Sequence, residues 1–69
     1  MIKRERGDIV ITLSDKRLLD IEEFSIYASL GVVKAREVAE ITGSLFRAGR
    51  KVLVDRVKFD RWCDEHDEI

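Results

Sequence analysis

The stretch IEEFSIYASLGVVKAREVAEITG, residues 21–43, decides the fold that the sequence predicts. Asp20 precedes it, and Glu23 follows three residues later, which is the spacing of a capping box at the start of a helix. Gly31 is expected to end that helix, because glycine adopts a left-handed backbone without a steric penalty. A second helix then extends to Gly43. Two short helices separated by one glycine predict a helix-turn-helix.

The spacing of apolar residues places these helices over residues 21–29 and 32–42. The inward stripe of the first helix is expected to contain Ile21, Phe24 and Ala28. The inward stripe of the second helix is expected to contain Val32, Ala35, Val38, Ala39 and Thr42. Leu19, just before the first cap, can pack on Phe24 as a hydrophobic staple.

The flanking segments predict strands. DIVITL, residues 8–13, alternates apolar and other residues as a strand does, and residues 1–7 before it are expected to be flexible. SDKR, residues 14–17, has the composition of a loop. LFRAGRKVLV predicts a β-hairpin across residues 45–54, with a tight turn at Gly49.

A final helix is predicted over residues 56–66, with Asp55 as its cap. Its inward stripe is expected to contain Phe59, Trp62, Cys63 and His66. Trp62 and Phe24 should then share one core. The order strand, helix, turn, helix, hairpin, helix predicts an α+β fold, a small winged helix-turn-helix that forms one domain over residues 1–69. In such a fold the second helix enters the major groove of DNA and the hairpin is the wing.

The length and composition indicate one small folded protein. With 69 residues, 45% of them hydrophobic, the chain has enough apolar residues for one compact core. It contains no apolar run near ~20 residues and no signal-peptide pattern, so we expect neither a membrane span nor secretion. The single cysteine, Cys63, cannot form an internal disulfide, and we expect a reduced cytoplasmic protein with a packed, half-buried thiol.

The charge distribution leaves nucleic-acid binding open. The net charge is −1, with thirteen basic and fourteen acidic residues, whereas nucleic-acid-binding proteins usually have a basic excess. Four of the acidic residues lie in the last six positions, so the first 63 residues carry thirteen basic against ten acidic residues. A basic face combined with an acidic tail fits this distribution.

Residues suited to catalysis or metal binding are few. Cys63, Asp64 and the one histidine, His66, lie close together and could form part of a metal site. The same spacing fits an inward helical stripe beside Trp62, and packing is the better interpretation of it. No nucleophile–histidine–acid set and no glycine-rich phosphate loop is present. The sequence therefore predicts no enzyme activity, no cofactor and no metal.

Two basic groups are candidates for contact with DNA. Lys34 and Arg36 are predicted to lie outward on the second helix, where long cationic side chains can reach phosphates or guanine edges. Arg47, Arg50 and Lys51 surround the hairpin turn, with Arg50 expected in a minor groove and Lys51 on a phosphate. In a winged helix both groups face the same side. The alternative for each group is solvated surface charge, in pairs along a helix or on a hairpin edge.

The two segments LLDIEEFSIYASLGVVKAREVAE and LFRAGRKVLVDRVKFDRW together resemble the small excisionase-type winged-helix proteins of the MerR-like branch. The excisionases of conjugative transposons are nearest in form. The shared features are the opening IEEFSIY, the LGV turn, the AGRKVLV wing and an aromatic closing helix. They occur in order and at suitable spacing across residues 18–66.

The resemblance implies DNA binding without catalysis, in a protein of bacterial, phage or mobile-element origin. Such proteins bind and bend DNA near recombination ends and assist a tyrosine recombinase, while others regulate transcription. Carried over by position, Lys34, Arg36 and Glu37 occupy the recognition-helix surface, and Arg50 and Lys51 the wing. The expected partners are double-stranded DNA, a tyrosine recombinase (integrase) and further copies of the chain.

Two departures from the family pattern concern the second helix. Val33 stands where a small polar residue is common, and the helix is less basic than in transposon excisionases. The alternative functions are therefore a transcriptional regulator with the same fold, and a protein-interaction module that has lost DNA binding.

Overall fold

The protein is represented by a computed structural model that describes residues 13–69. Its elements are β1 (Leu18–Leu19), α1 (Ile21–Ala28), α2 (Val32–Ile41), β2 (Leu45–Ala48), β3 (Lys51–Asp55) and α3 (Arg56–Glu65). The three strands form an antiparallel sheet in the order β1-β3-β2. Within residues 13–69 the chain is a small α+β arrangement of three helices and a three-stranded sheet, compatible with a small winged-helix-like fold.

The predicted helices and the hairpin are present, with ends that differ from the prediction by one residue. The strand predicted over residues 8–13 lies outside the described residues except for Leu13, which is helical and buried. The flexibility expected of residues 1–7 also lies outside them. The strand β1 was not predicted, because two residues are too few to show the alternation of a strand.

The hydrophobic core draws on the sheet, α1 and α2. Its buried members are Leu13, Leu19, Phe24, Ala35, Val38, Ala39 and Val54. Phe24 is fully buried and meets Phe59 of α3 edge to face, with 4.8 Å between the ring centroids. Leu19 is also fully buried, as the staple predicts. The small side chains of Ala35 and Ala39 let α2 approach the other core elements closely.

The prediction that Trp62 shares this core is wrong. Hydrogen bonds hold the first half of α3 to the rest of the chain. Asp55 caps the first turn, the backbone N–H of Arg56 donates to the loop before β1, and the Tyr27 hydroxyl of α1 donates to the Asp60 carboxylate at 2.8 Å. Phe59 in the second turn therefore takes the core position. Trp62, one turn further on, is only half-buried and stacks on the His66 ring, with 3.6 Å between centroids.

The first turns of α1 and α3 are capped by the side chains that the sequence predicts, and the first turn of α2 is not. At α1 the predicted capping box is complete: the backbone N–H of Glu23 donates to the Asp20 carboxylate at 2.7 Å, and the backbone N–H of Asp20 donates to the Glu23 carboxylate at 3.0 Å. At α3 the Asp55 carboxylate accepts from the backbone N–H groups of Val57 and Lys58, without a reciprocal bond, and also accepts from Arg17 at 3.2 Å. At α2 the cap residue is Gly31, and no side chain of residues 13–69 caps its first turn.

The turns that end α1 and α2 share a backbone geometry but differ in the residue that adopts it. After α2, Gly43 has φ of 68°, as predicted. After α1, Ser29 has the left-handed conformation at φ of 58°, and Gly31 has φ of −68°. The prediction that Gly31 ends α1 is therefore wrong, since the helix ends earlier and Gly31 begins α2.

Candidate nucleic-acid interface

The β2–β3 hairpin ends in a two-residue loop, Gly49 and Arg50. In the register of the hairpin, Ala48 lies opposite Lys51 and Arg47 opposite Val52. Gly49 has φ of 62°, and a glycine with positive φ at the first loop position is typical of the II′ turn that suits the twist of a hairpin. The predicted tight turn is confirmed, and it places Arg50 at the tip.

The three hairpin cations are exposed but do not share one face. Residues opposite each other in a ladder point to the same side, and the side alternates along the strand. Arg47 therefore lies on the side of Val52, while Lys51 lies on the other side with Ala48. Together with Arg50 at the tip, the cations surround the end of the hairpin.

The charge of Lys51 acts on a carboxylate of the described chain, that of Glu23. Partial burial raises the pKa of Glu23, but hydrogen bonds from Lys16 and from the backbone of Asp20, with the charges of Lys16 and Lys51, lower that pKa below its usual value. Arg47 and Arg50 have no hydrogen-bond or ion-pair partner within residues 13–69. The field of these two guanidinium groups is therefore free to act on a ligand.

The second predicted group, Lys34 and Arg36 on α2, is exposed but divided between two sides. Residues i and i+2 lie about 200° apart around a helix. Lys34 lines a groove of about 330 Å³ between α2 and α3, together with Val38 and Trp62. Arg36 lies on the other side of α2 with Glu37. Lys34 and Arg36 are both exposed, as predicted, but they do not share one surface of α2, whereas Arg36 and Glu37 do lie together.

The outward ridge of α2 consists of Val33, Arg36, Glu37 and Glu40. These positions are i, i+3, i+4 and i+7, the spacing of one helix face, and all four side chains are exposed. Val33 is 81% exposed. Arg36 lies 4.0 Å from the Glu40 carboxylate, so part of its charge is already paired. This spacing is present in the sequence, but it does not by itself distinguish an outward ridge from the other exposed positions of α2.

This ridge borders a groove of about 490 Å³ between α2 and the start of α1. We call it the α1–α2 groove, and it is lined by Ile21, Glu22, Val32, Val33, Arg36, Glu37 and Glu40. One arginine against three glutamates gives it a net charge of −2. The uncapped start of α2 adds about +0.5 from the helix dipole, which does not offset that charge. Glu22 was missed because periodicity within one helix carries no information about a neighbouring helix.

The cysteine and histidine of α3 and its tail lie at the surface. Cys63 is exposed, so the predicted half-buried packing of its thiol is wrong. Partial desolvation and the nearby carboxylates of Asp60 and Asp64 raise the pKa of the Cys63 thiol, which disfavours the reactive thiolate. In residues 13–69 no three His, Cys, Asp or Glu side chains converge as a metal-binding set.

Comparisons with family models, with curated proteins and with solved structures find no match to this chain. In the described part of the chain, no helix has the length and apolar character needed to cross a membrane. The geometry and charge of the surfaces described above are therefore the basis for inferring a function.

Proposed function

We propose that this chain is a non-catalytic DNA-binding protein that holds duplex DNA with its β2–β3 hairpin. The observation that carries the proposal is the hairpin end itself, where Arg47, Arg50 and Lys51 surround a tight turn and the two arginines have no partner within residues 13–69. Solubilising charge explains isolated edge cations. Three cations within five residues at a projecting tip are better suited to phosphate contact.

The hairpin contributes both shape and charge in this proposal. A two-residue loop is narrow, so the Arg50 side chain can enter a minor groove, whose negative potential is strongest where the groove is narrow. Arg47 and Lys51, on opposite sides of the ribbon, then face the phosphates of the two flanking strands. The outward ridge of α2 does not hold phosphates here, since the α1–α2 groove has a net negative charge.

The accessory role that the excisionase resemblance implies fits a protein of this kind. An accessory protein needs to position or bend DNA for another protein and needs no catalytic group of its own. We therefore propose that the chain acts on DNA at a recombination site, in company with a tyrosine recombinase. The support for this finer role is the order of elements and the wing sequence AGRKVLV.

The test is a fluorescence-anisotropy titration of the full chain against a random-sequence duplex of about 25 base pairs, at several salt concentrations. Each cation that displaces counterions, whether at a phosphate or in the minor groove, contributes about −0.9 to the slope of log affinity against log salt, so the three hairpin cations predict a slope of about −2.7. Affinity should then fall about 40-fold between 50 and 200 mM salt. A slope near zero would contradict the proposal.

Two double variants with equal changes in net charge locate the contact. Arg50→Ala with Lys51→Ala should flatten the slope by about 1.8, because two cations that displace counterions are lost. Lys58→Ala with Arg61→Ala removes two exposed cations from α3 and should leave the slope unchanged. Equal losses in both variants would mean that binding depends on total charge and that the hairpin has no special role.

A further inference from the structure

The α1–α2 groove has an apolar floor that no residue of 13–69 covers. Val33 is 81% exposed and its neighbour Val32 is 49% exposed, although both stand at the start of a helix whose other face is buried. Half-buried Ile21 of α1 extends the floor across the groove. Single exposed valines are ordinary, but two adjacent ones continuous with a third apolar side chain form a patch suited to contact with another molecule.

The carboxylates around this floor determine the charge of a suitable partner. Glu22 and Glu37 have no hydrogen-bond or ion-pair partner within residues 13–69, and Glu40 is paired with Arg36 only at 4.0 Å. An approaching phosphate would meet two unpaired negative charges. An approaching ammonium or guanidinium group would neutralise them.

We infer that the α1–α2 groove binds a basic amphipathic helix of another protein. Val33, Glu37 and Glu40 extend along about 10 Å of the α2 axis, roughly two turns. A partner helix lying alongside α2 repeats its side chains at the same spacing. Its apolar stripe can cover the valines while Lys or Arg residues three or four positions apart meet the carboxylates of Glu37 and Glu40.

This site is separate from the hairpin and uses the opposite charge. The hairpin cations attract nucleic acid, and the groove attracts a cationic protein segment, so the chain can bridge the two. A DNA-reading role for the same groove is the competing interpretation. It requires Arg36 to leave Glu40 and three carboxylates to lie near the DNA backbone.

The experiment titrates the ¹⁵N-labelled full chain with three synthetic peptides of 14 residues. One is the basic amphipathic helix made of two LKKLLKL repeats, one replaces each Lys with Glu, and one scrambles the basic sequence. We expect the basic helix to shift the amide signals of Val32, Val33 and Glu37 and to bind at least about tenfold more tightly than the acidic peptide. The scrambled peptide should bind more weakly than the ordered one.

Charge-reversal variants make the assignment specific to the groove. Glu37→Lys with Glu40→Lys should reverse the preference, so that the acidic peptide binds more tightly than the basic one. Asp64→Lys with Glu65→Lys makes the same charge change on exposed residues outside the groove and should retain the original preference. Val33→Ser should weaken binding of the basic peptide about fivefold, and the variant should still bind the basic peptide more tightly than the acidic one.

Several results would overturn the inference. One such result is equal affinity for the basic and acidic peptides. Another is a set of amide chemical-shift changes confined to the groove between α2 and α3. Duplex DNA that shifts the amides of Val33 and Arg36 would assign the groove to DNA instead. Self-association of the free chain through Val33, detected by sedimentation and removed by Val33→Ser, would assign it to a second copy.

Discussion

The hairpin tip and the outward ridge of α2 both present arginine to solvent, yet they differ in what surrounds it. Arg50 has no partner within residues 13–69, whereas Arg36 lies 4.0 Å from Glu40 and beside Glu37. The first surface therefore has a positive field and the second a net negative one. The comparison shows that the number of cations in a segment matters less than which carboxylates share their face.

The largest effect is expected from a change in the hydrophobic core, on which both the hairpin and the α1–α2 groove depend. Phe24→Ala removes a fully buried ring that packs on Phe59, and it should cost ~3–5 kcal/mol, a large part of the stability of a small domain. Binding at the hairpin and in the α1–α2 groove should then be lost together. Trp62→Ala should cost less than half as much, because its ring is only half-buried. Urea denaturation followed by circular dichroism measures both, and the reverse order of the two costs would place Trp62 in the core after all.

A smaller effect concerns Asp55, which joins the hairpin to α3. Desolvation raises the pKa of this carboxyl, but the hydrogen bond from Arg17, the capped backbone N–H groups and the charge of Arg17 lower it below the usual value of 3.8. The unfolded chain therefore takes up the proton first as pH falls. The stabilisation is fully present above pH ~4 and is lost as pH falls through the lowered pKa of the folded state.

Asp55→Asn should consequently be less stable than the parent at pH 7, by ~1 kcal/mol for a weakened cap, and should show a flatter decline below pH 4. Asp64→Asn, at an exposed position near the tail, is the matched control. The measurement is the free energy of unfolding in urea between pH 2.5 and 7. Parallel pH curves for the parent and Asp55→Asn would mean that another carboxyl controls acid stability.

The smallest effect concerns the turn that sets α2 against α1 and so shapes the groove. Ser29 has φ of 58°, a conformation that costs a non-glycine residue ~1 kcal/mol, so Ser29→Gly should raise stability by ~0.5–1 kcal/mol. Gly31 has φ of −68°, and Gly31→Ala should therefore be tolerated. Thermal melts of the two variants check this pair. A destabilised Ser29→Gly variant would show that the serine contributes more than its backbone conformation.

The sequence predicted the order and type of most elements because their signals are local. The Asp20–Glu23 box, the caps at Asp55 and Gly43, and the glycine of the hairpin turn each act within a few residues. One local prediction was wrong, since Ser29 and not Gly31 ends α1. The wrong prediction for Trp62 depended on tertiary packing. Trp62 fits the inward stripe of α3 as well as Phe59 does, and only the position of α3 against the sheet decides which ring is buried.

The part of the candidate site that depends on local sequence was predicted, and the part that depends on tertiary packing was not. The hairpin cations could be located because a tight turn exposes its tip whatever the rest of the fold does. The sign of the net charge on the outward ridge of α2 could not be predicted. Glu22 reaches this surface from α1, and Lys34 points away from it toward α3. Neither fact is contained in the periodicity of α2 alone.

The most direct test of the division between the two surfaces compares Arg50→Ala with Arg36→Ala in the duplex titration over a range of salt concentrations. Both changes remove one exposed arginine, so the net charge is the same in the two variants. We expect Arg50→Ala to lower affinity and to flatten the salt slope by about 0.9, while Arg36→Ala leaves the slope unchanged and affinity within about twofold. The reverse result, with DNA affinity dependent on Arg36 and indifferent to Arg50, would contradict this expectation.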